Sequence, residues 1–398
     1  MRAFALTGAK TPFHTPRVFD VIVIGLGAMG LAAACEIAAT GAKVLGLEQF
    51  APGHDRGASH GKTRMIRKAY LEGDFYIPLL ERAFERWPEL AKRADEEIFN
   101  PCGVLYSAPE GDPIIAHTRA SALRYRIPLE TFSADDAARR FPNFRRPENH
   151  ACLFEPGGGY VNPDAALDLY RKLAAQHGAE LRFKTEVAGI DLENKIIRVK
   201  TRNETFSAHR LVVTAGPWLA KVGALAGFTP PLTIRRMALH WFKPEGTRED
   251  FRPGPLVPNV FRASGGGFLY GFPWTRAETG LKYAFHDRQN PPTDPGTPNR
   301  VVGKEEISEI RDAVGEVLAA PVEHVASKTC LYAMTPDQHF LIGLLPGDER
   351  VAVAGGFSGH GFKFTPVVGE ILRDLALDGA SEHDLSRFAP GRFDGKTP

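Results

Sequence analysis

Three glycines and one acid near the amino terminus form the most informative spacing in this chain. They lie in the stretch Gly25-Leu26-Gly27-Ala28-Met29-Gly30, with Glu48 following 18 residues after Gly30. Gly25 permits a tight turn, Gly27 lets backbone N–H groups approach a pyrophosphate, and Gly30 lets the following helix pack closely on a strand. An acid placed like Glu48 accepts hydrogen bonds from a ribose diol. This is the chemistry of holding an adenine dinucleotide. A second Gly-rich turn, Gly355-Gly356-Phe357-Ser358-Gly359-His360-Gly361, lies near the other end. Two such turns from opposite ends of a chain suit FAD, which is gripped along its whole length. NAD folds more often use one turn in a contiguous domain.

These residues need a scaffold, and the flanking sequence supplies one. Val21-Ile22-Val23-Ile24 is the continuous apolar run of a buried parallel strand, and an Ala-rich helical stretch runs from Leu31 to Thr40. A second apolar run from Lys43 to Leu47 ends at Glu48. The helix N-terminus offers unpaired N–H groups and a partial positive charge to phosphates. Strand, glycines, helix, strand and acid in register separate this unit from a Gly-rich turn in an ordinary βαβ unit. The far end repeats the pattern: Val351 to Ala354 as a buried strand, the glycine turn, then a helix from Thr365 to Leu377.

Between the two ends, Asn162-Pro163-Asp164 caps a helix over Ala165 to His177. Strands are expected over Glu180 to Val187 and Lys195 to Thr201, then in the apolar run Leu211 to Gly216, whose glycine turn suits a dinucleotide's flank. From Pro217 to about Asn299 the texture becomes dense in Pro, Gly and aromatic residues. Strand-like runs such as Met237 to Phe242 and Gly267 to Phe272 suit an antiparallel sheet. A helix follows over Lys304 to Leu318.

Bulk properties exclude several classes. With 398 residues, the chain is long enough for two domains. A formal net charge of +2 offers nothing to nucleic acid or to an anionic membrane, and no run of about 18 apolar residues could span a bilayer. Residues 1–17 read as a loose N-terminal extension without the apolar stretch of a secretory signal. Cys35, Cys102, Cys152 and Cys330 are scattered without metal spacing, which fits a reducing cytoplasm and no metal.

Beyond the glycine turns, the segments Ser59-His60-Gly61-Lys62-Thr63-Arg64-Met65-Ile66-Arg67, Cys330-Leu331-Tyr332 and Gly356 to Lys363 carry a resemblance. Over nearly its whole length the chain resembles the amine oxidases typified by monomeric sarcosine oxidase and N-methyltryptophan oxidase. The resemblance implies an α/β fold. An FAD-binding Rossmann-like domain, doubly wound and of the D-amino-acid-oxidase/glutathione-reductase type, would span 18–92, 150–220 and 326–390. A second, antiparallel β-sheet substrate domain would span 93–149 and 221–325. Residues 1–17 would stay outside both.

The resemblance also assigns roles. Cys330 would carry the flavin covalently, since a thiolate can add to the activated methyl group at C8. Arg67 and Lys363 would clamp the substrate carboxylate, a planar guanidinium fork beside a point charge. Thr63 and Arg64 would lie against the flavin, where a cation favours the anionic reduced form. Lys282 would activate dioxygen, and His286, four residues on, would share its strand face toward substrate. His60, Tyr270 and Tyr332 would complete the pocket. Gly25, Gly27, Ala28, Met29, Gly30, Glu48, Val187, Gly216, Trp218, Gly356, Phe357, Gly359, His360, Gly361 and Lys363 would contact the cofactor. Read alone, His286 is equally a hydrogen-bonded core histidine and the tyrosines core aromatics.

The implied function is FAD-dependent oxidation of secondary, N-methyl amino acids. The C–N bond becomes an imine that hydrolyses, and O2 becomes H2O2. The implied enzyme is monomeric, with an amino acid and O2 as its small-molecule partners. A flavin dehydrogenase passing electrons to a carrier and a non-catalytic flavin-binding protein are the alternatives. Lys62 departs from the family, which has Asp there, and Ser59-His60 stands where two His are frequent. Residues 259–267 match no family pattern, so the substrate side chain is unreadable.

Overall fold

The computed structural model describes residues 17–145 and 147–393. All of the expected N-terminal extension except Arg17 therefore lies outside the described residues. Val18–Ile24 is the central strand of an eight-stranded sheet, pairing in parallel with Val44–Leu47 on one side and Thr205–Val213 on the other. Its residues alternate between two apolar layers. Val21 and Val23 face a cluster built on the helices, while Ile22 and Ile24 face a second cluster with Ile197, Leu211 and Val351. A sheet buried on both faces requires such an unbroken apolar run.

Thr205–Val213 changes partner along its length. Its first half pairs antiparallel with Ile197–Thr201, and Leu211 to Val213 pair in parallel with Val351 to Val353 of the strand Asp348–Gly355. Three parallel strands from distant parts of the chain therefore lie side by side. Their carboxyl ends lead into Gly25, into Thr214 to Gly216, and into Gly356. In open α/β sheets such ends are where ligands bind. The helices Ala28–Ala38 and Thr365–Leu377 pack on one face and touch closely. A Cβ added at Gly369 would come within 2.8 Å of the Ala32 Cβ.

The second sheet also has eight strands. From one edge it runs Val322–Met334, Thr233–Pro244, Leu281–Phe285, Phe268–Phe272, Asn259–Arg262, Val104–Pro109, His150–Glu155 and Glu130–Phe132. Its pairs are antiparallel except one, Asn259–Arg262 with Val104–Pro109, which is parallel. Two strands that fall wholly or partly within the segments assigned to the nucleotide-binding part pair into this sheet. His150–Glu155 pairs with Val104–Pro109, and Val322–Met334 pairs along Thr233–Pro244. Boundaries at 150 and 326 thus detach one strand from this sheet and cut through another. Apolar content marks a strand, but only its partner decides the sheet. A small sheet of Arg64–Ile66, Gly159–Val161 and Phe99–Asn100 carries the segment with Thr63, Arg64 and Arg67.

Candidate active site

A cleft of about 430 Å³ opens over the three parallel strand ends. Gly25 has φ +91, and a Cβ there would fall 2.6 Å from the Thr214 carbonyl oxygen. At Gly30 a Cβ would sit 1.8 Å from the Gly25 carbonyl oxygen, so only glycine allows this helix–strand contact. Gly27 differs: a Cβ there would meet only the Ser59 hydroxyl, at 3.4 Å, because its open side faces the cleft. The N-cap, Gly27, offers no side-chain cap to the helix that follows. The Ala28 N–H donates to the Ser59 hydroxyl at 3.2 Å, and the N–H groups next along the first turn face the cleft for an anion.

Glu48 is buried. It accepts from the Leu26 N–H at 2.9 Å and from the Phe50 N–H at 3.0 Å, bracing the glycine turn. A carboxylate has roughly four acceptor sites, so two remain for a diol. Ala28, Met29, Val187, Gly216 and Trp218 line the same cleft. Gly356, Phe357, Gly359 and Gly361 close it from the C-terminal turn. His60 is buried on the wall, and both its ring nitrogens lack a hydrogen-bond partner among the described residues. Burial and the nearby Arg64 bring its imidazole down to about 4. Open glycines, a braced acid and an unpartnered imidazole fit a long, polar dinucleotide.

Arg64 also lines the cleft and donates to the backbone oxygens of Ala58, His60 and Thr63. Tyr332 and Leu331 lie on the wall, with the fully buried Cys330 beside them. Burial pushes the Cys330 thiol up, opposed by Arg64 and Lys282.

Lys282 is fully buried on the strand Leu281–Phe285. Its Nζ donates to the Gly61 oxygen at 2.7 Å and the Thr63 oxygen at 2.5 Å, and lies 4.4 Å from the centre of the Phe272 ring. Burial pulls its pKa well below the usual lysine range, with Glu278 opposing. The Thr63 hydroxyl donates to Glu278.

Arg67 and Lys363 meet at Tyr70. The guanidinium carbon of Arg67 lies 4.7 Å, and Lys363 Nζ 5.0 Å, from the centre of that ring. Both cations are buried. Lys363 donates to the Tyr70 hydroxyl at 3.2 Å and the His360 oxygen at 2.7 Å, and burial brings it down to about 7. Arg67 is already paired. One of its nitrogens donates to both oxygens of Glu72 at 2.8 Å, and the other to the Ala69 oxygen. Burial pushes Glu72 up, but Arg67, His360, Lys363 and His286 together outweigh it, and the carboxyl settles at about 2.

His360 stands in this group rather than on the cleft wall. Its Nδ1 is 2.7 Å from the Tyr70 hydroxyl, and its ring packs against Phe340 and Tyr76. His286 lies with Phe268, Tyr270 and Tyr332, ring centres 5.1 to 6.3 Å apart. The structure therefore gathers the expected residues into two adjoining sets. One surrounds the cleft, and one is a buried cationic and aromatic cluster. Sequence reasoning passed over Tyr70, Glu72, Trp241 and Glu278. Glu72 had a local signal, as an acid five residues after an arginine awaiting a partner; Glu278 had none.

Comparison with known proteins places this geometry. The family described as DAO: FAD dependent oxidoreductase matches residues 20–375. A monomeric sarcosine oxidase of Streptomyces avermitilis is 37% identical over 378 residues, covering 94% of this chain and 98% of that protein. An N-methyl-L-tryptophan oxidase of Yersinia pestis is 32% identical over 377 residues, covering 94% and 99%. Among solved structures, NikD, described as an unusual amino acid oxidase essential for nikkomycin biosynthesis, superposes with a TM-score of 0.81. It shares 25% identity and covers 94% of this chain and 97% of its own.

Proposed function

This chain belongs to the family of FAD dependent oxidoreductases, and on that premise we propose that it oxidises secondary, N-methyl amino acids with dioxygen as acceptor. The observation that carries the reading is the meeting of Arg67 and Lys363 at one buried ring beside the dinucleotide cleft. Two cations buried together need an anion. Glu72 supplies one negative charge, and a substrate carboxylate would supply a second. The names of the sarcosine and N-methyltryptophan oxidases, extended to this chain, supply the substrate class.

The residues fit FAD. The backbone of Gly25 to Gly30 would hold the pyrophosphate, Glu48 the ribose, and the Gly216 and Gly356 to Gly361 turns the remainder of its length. Cys330, beside the cleft-wall residues Leu331 and Tyr332, would tether it. When bound, FAD supplies the two-electron acceptor.

The chain's own residues do the positioning. Arg67 would exchange part of its pairing with Glu72 for the substrate carboxylate. Arrival of that carboxylate raises the Lys363 pKa and favours its ammonium form. His286, Tyr270 and Tyr332 form the wall beyond the clamp and exclude water. An ammonium carries three N–H groups, and two of those on Lys282 go to backbone oxygens. Its charge can stabilise negative charge developing on dioxygen. We take the setting to be the cytoplasm. We take the working unit to be the monomer.

The deciding experiment mixes purified enzyme anaerobically with sarcosine and a panel of larger N-methyl amino acids, follows flavin absorbance, and then admits air. Bleaching followed by stoichiometric peroxide is expected. Bleaching without peroxide would favour a dehydrogenase, and no bleaching by any member would leave only a flavin-binding protein.

A further inference from the structure

Glu278 is a buried acid for which the chemistry above has no use. It lies in the connection between the strands Phe268–Phe272 and Leu281–Phe285, yet is only 9% exposed. Trp241 Nε1 donates to one carboxylate oxygen, and the Thr63 hydroxyl donates to the other at 3.3 Å. Both donors are also tied to Lys282. Trp241 is its cross-strand neighbour, and the Thr63 backbone oxygen accepts from Lys282 Nζ. Thr63 thus stands between acid and lysine, with its hydroxyl on one and its carbonyl on the other.

Burial pushes the Glu278 carboxyl up, so its ionised form depends on the cations and donors that oppose burial. Lys282 and Lys62 face it, and Lys62 is itself ion-paired to Asp164 at 3.0 Å. Around Lys282 the facing groups are Glu278, Arg64, Cys330 and Asp164. Burial and the Arg64 guanidinium both drive its ammonium toward the neutral amine, and Glu278 is the foremost charge opposing them. Lys62 adds to the positive charge of the same loop.

We propose that Glu278 is a positioning residue whose charge, relayed past Thr63, keeps Lys282 an ammonium at neutral pH. Its consequence for oxygen chemistry rests on the reading of Lys282 given above, but the charge coupling does not. Glu278→Gln is the informative variant, because its amide oxygen can still accept from Trp241 while its NH2 donates to the Thr63 hydroxyl, and it carries no charge.

Two measurements on the holoenzyme test this, using wild type, Glu278→Gln, Lys282→Met and the double variant. In the first, reduced enzyme is mixed with oxygenated buffer from pH 5.5 to 9.5 (a range set by roughly the shift expected). The wild-type reoxidation rate should fall as Lys282 loses its proton. In Glu278→Gln the fall should come about one to three pH units lower, the effect of an opposite charge at close range, with the two rates converging in acid. Superimposed profiles would overturn the proposal.

The second is thermal unfolding at neutral pH. Glu278→Gln should lower Tm when Lys282 is present. It should not lower Tm in the Lys282→Met background, where it removes a carboxylate that has lost that cation. A residue serving only as the acceptor for Trp241 would give equal losses in both backgrounds, and that result also overturns the proposal. If Lys282→Met reoxidises like wild type, the oxygen role of Lys282 fails, and the Tm comparison alone then decides whether the two residues are coupled.

Discussion

Arg67 and Glu72 form a buried ion pair in which one guanidinium nitrogen donates to both carboxylate oxygens at 2.8 Å. A substrate carboxylate arriving at Arg67 must therefore compete with Glu72. Glu72→Gln should destabilise the fold by about 3–5 kcal/mol, since it leaves a buried cation without its charge partner. The same variant should bind a small carboxylate such as propionate roughly tenfold more tightly, a gain of about 1.4 kcal/mol. Arg67→Ala and Lys363→Ala should instead weaken that binding by about 2–5 kcal/mol while leaving the flavin spectrum intact. Titration calorimetry on the three variants checks this. Unchanged affinity in all of them would remove the clamp and, with it, the amino acid as substrate.

Covalent attachment is tested at Cys330. Acid precipitation of wild type should leave the yellow colour in the pellet, and Cys330→Ala should release it to the supernatant. Complete release from wild type would show that the flavin is held only by noncovalent contacts.

Lys282→Met should slow reoxidation of the reduced enzyme by about two orders of magnitude, because one preorganised charge contributes roughly 3 kcal/mol at such sites. Reduction by substrate, followed anaerobically in a stopped-flow instrument, should suffer less. Equal losses in both half-reactions would mark Lys282 as a packing residue.

Acid should destabilise the protein through its buried histidines. His240 lies away from the cleft, bonded to Ser327 at 2.9 Å, and burial brings it down to about 4. In the unfolded chain the imidazole binds a proton below about 6.5, but in the native protein it does so only near 4. Between those values the unfolded state binds more protons, so stability is full above pH 6.5 and is lost as pH falls toward 4. The contribution is about 3 kcal/mol at most. Urea unfolding at pH 7.5 and 4.5 should show His240→Gln losing less stability on acidification than wild type. Equal losses would mean that His240 does not titrate this way.

The sequence by itself determined what is local. The Gly25 to Gly30 turn, its flanking strands and Glu48 lie within one short stretch, and glycine is required at Gly25 by φ and at Gly30 by a contact distance under 3 Å. The helix Thr365–Leu377 lies where its apolar spacing placed it. Arg67 and Lys363 were legible only by resemblance, because nothing local announces that Lys363 will meet Tyr70 across 293 positions. Sheet membership was not legible either. The strands His150–Glu155 and Val322–Met334 were not read from the sequence, and their hydrogen-bond partners, chosen by tertiary pairing, lie in the second sheet. Glu278 depended wholly on tertiary structure, and Glu72 offered only its spacing of five residues from Arg67. A glutamate looks alike at every position in a sequence, and only the packing around these two removed them from water and set each beside a cation whose charge it must balance.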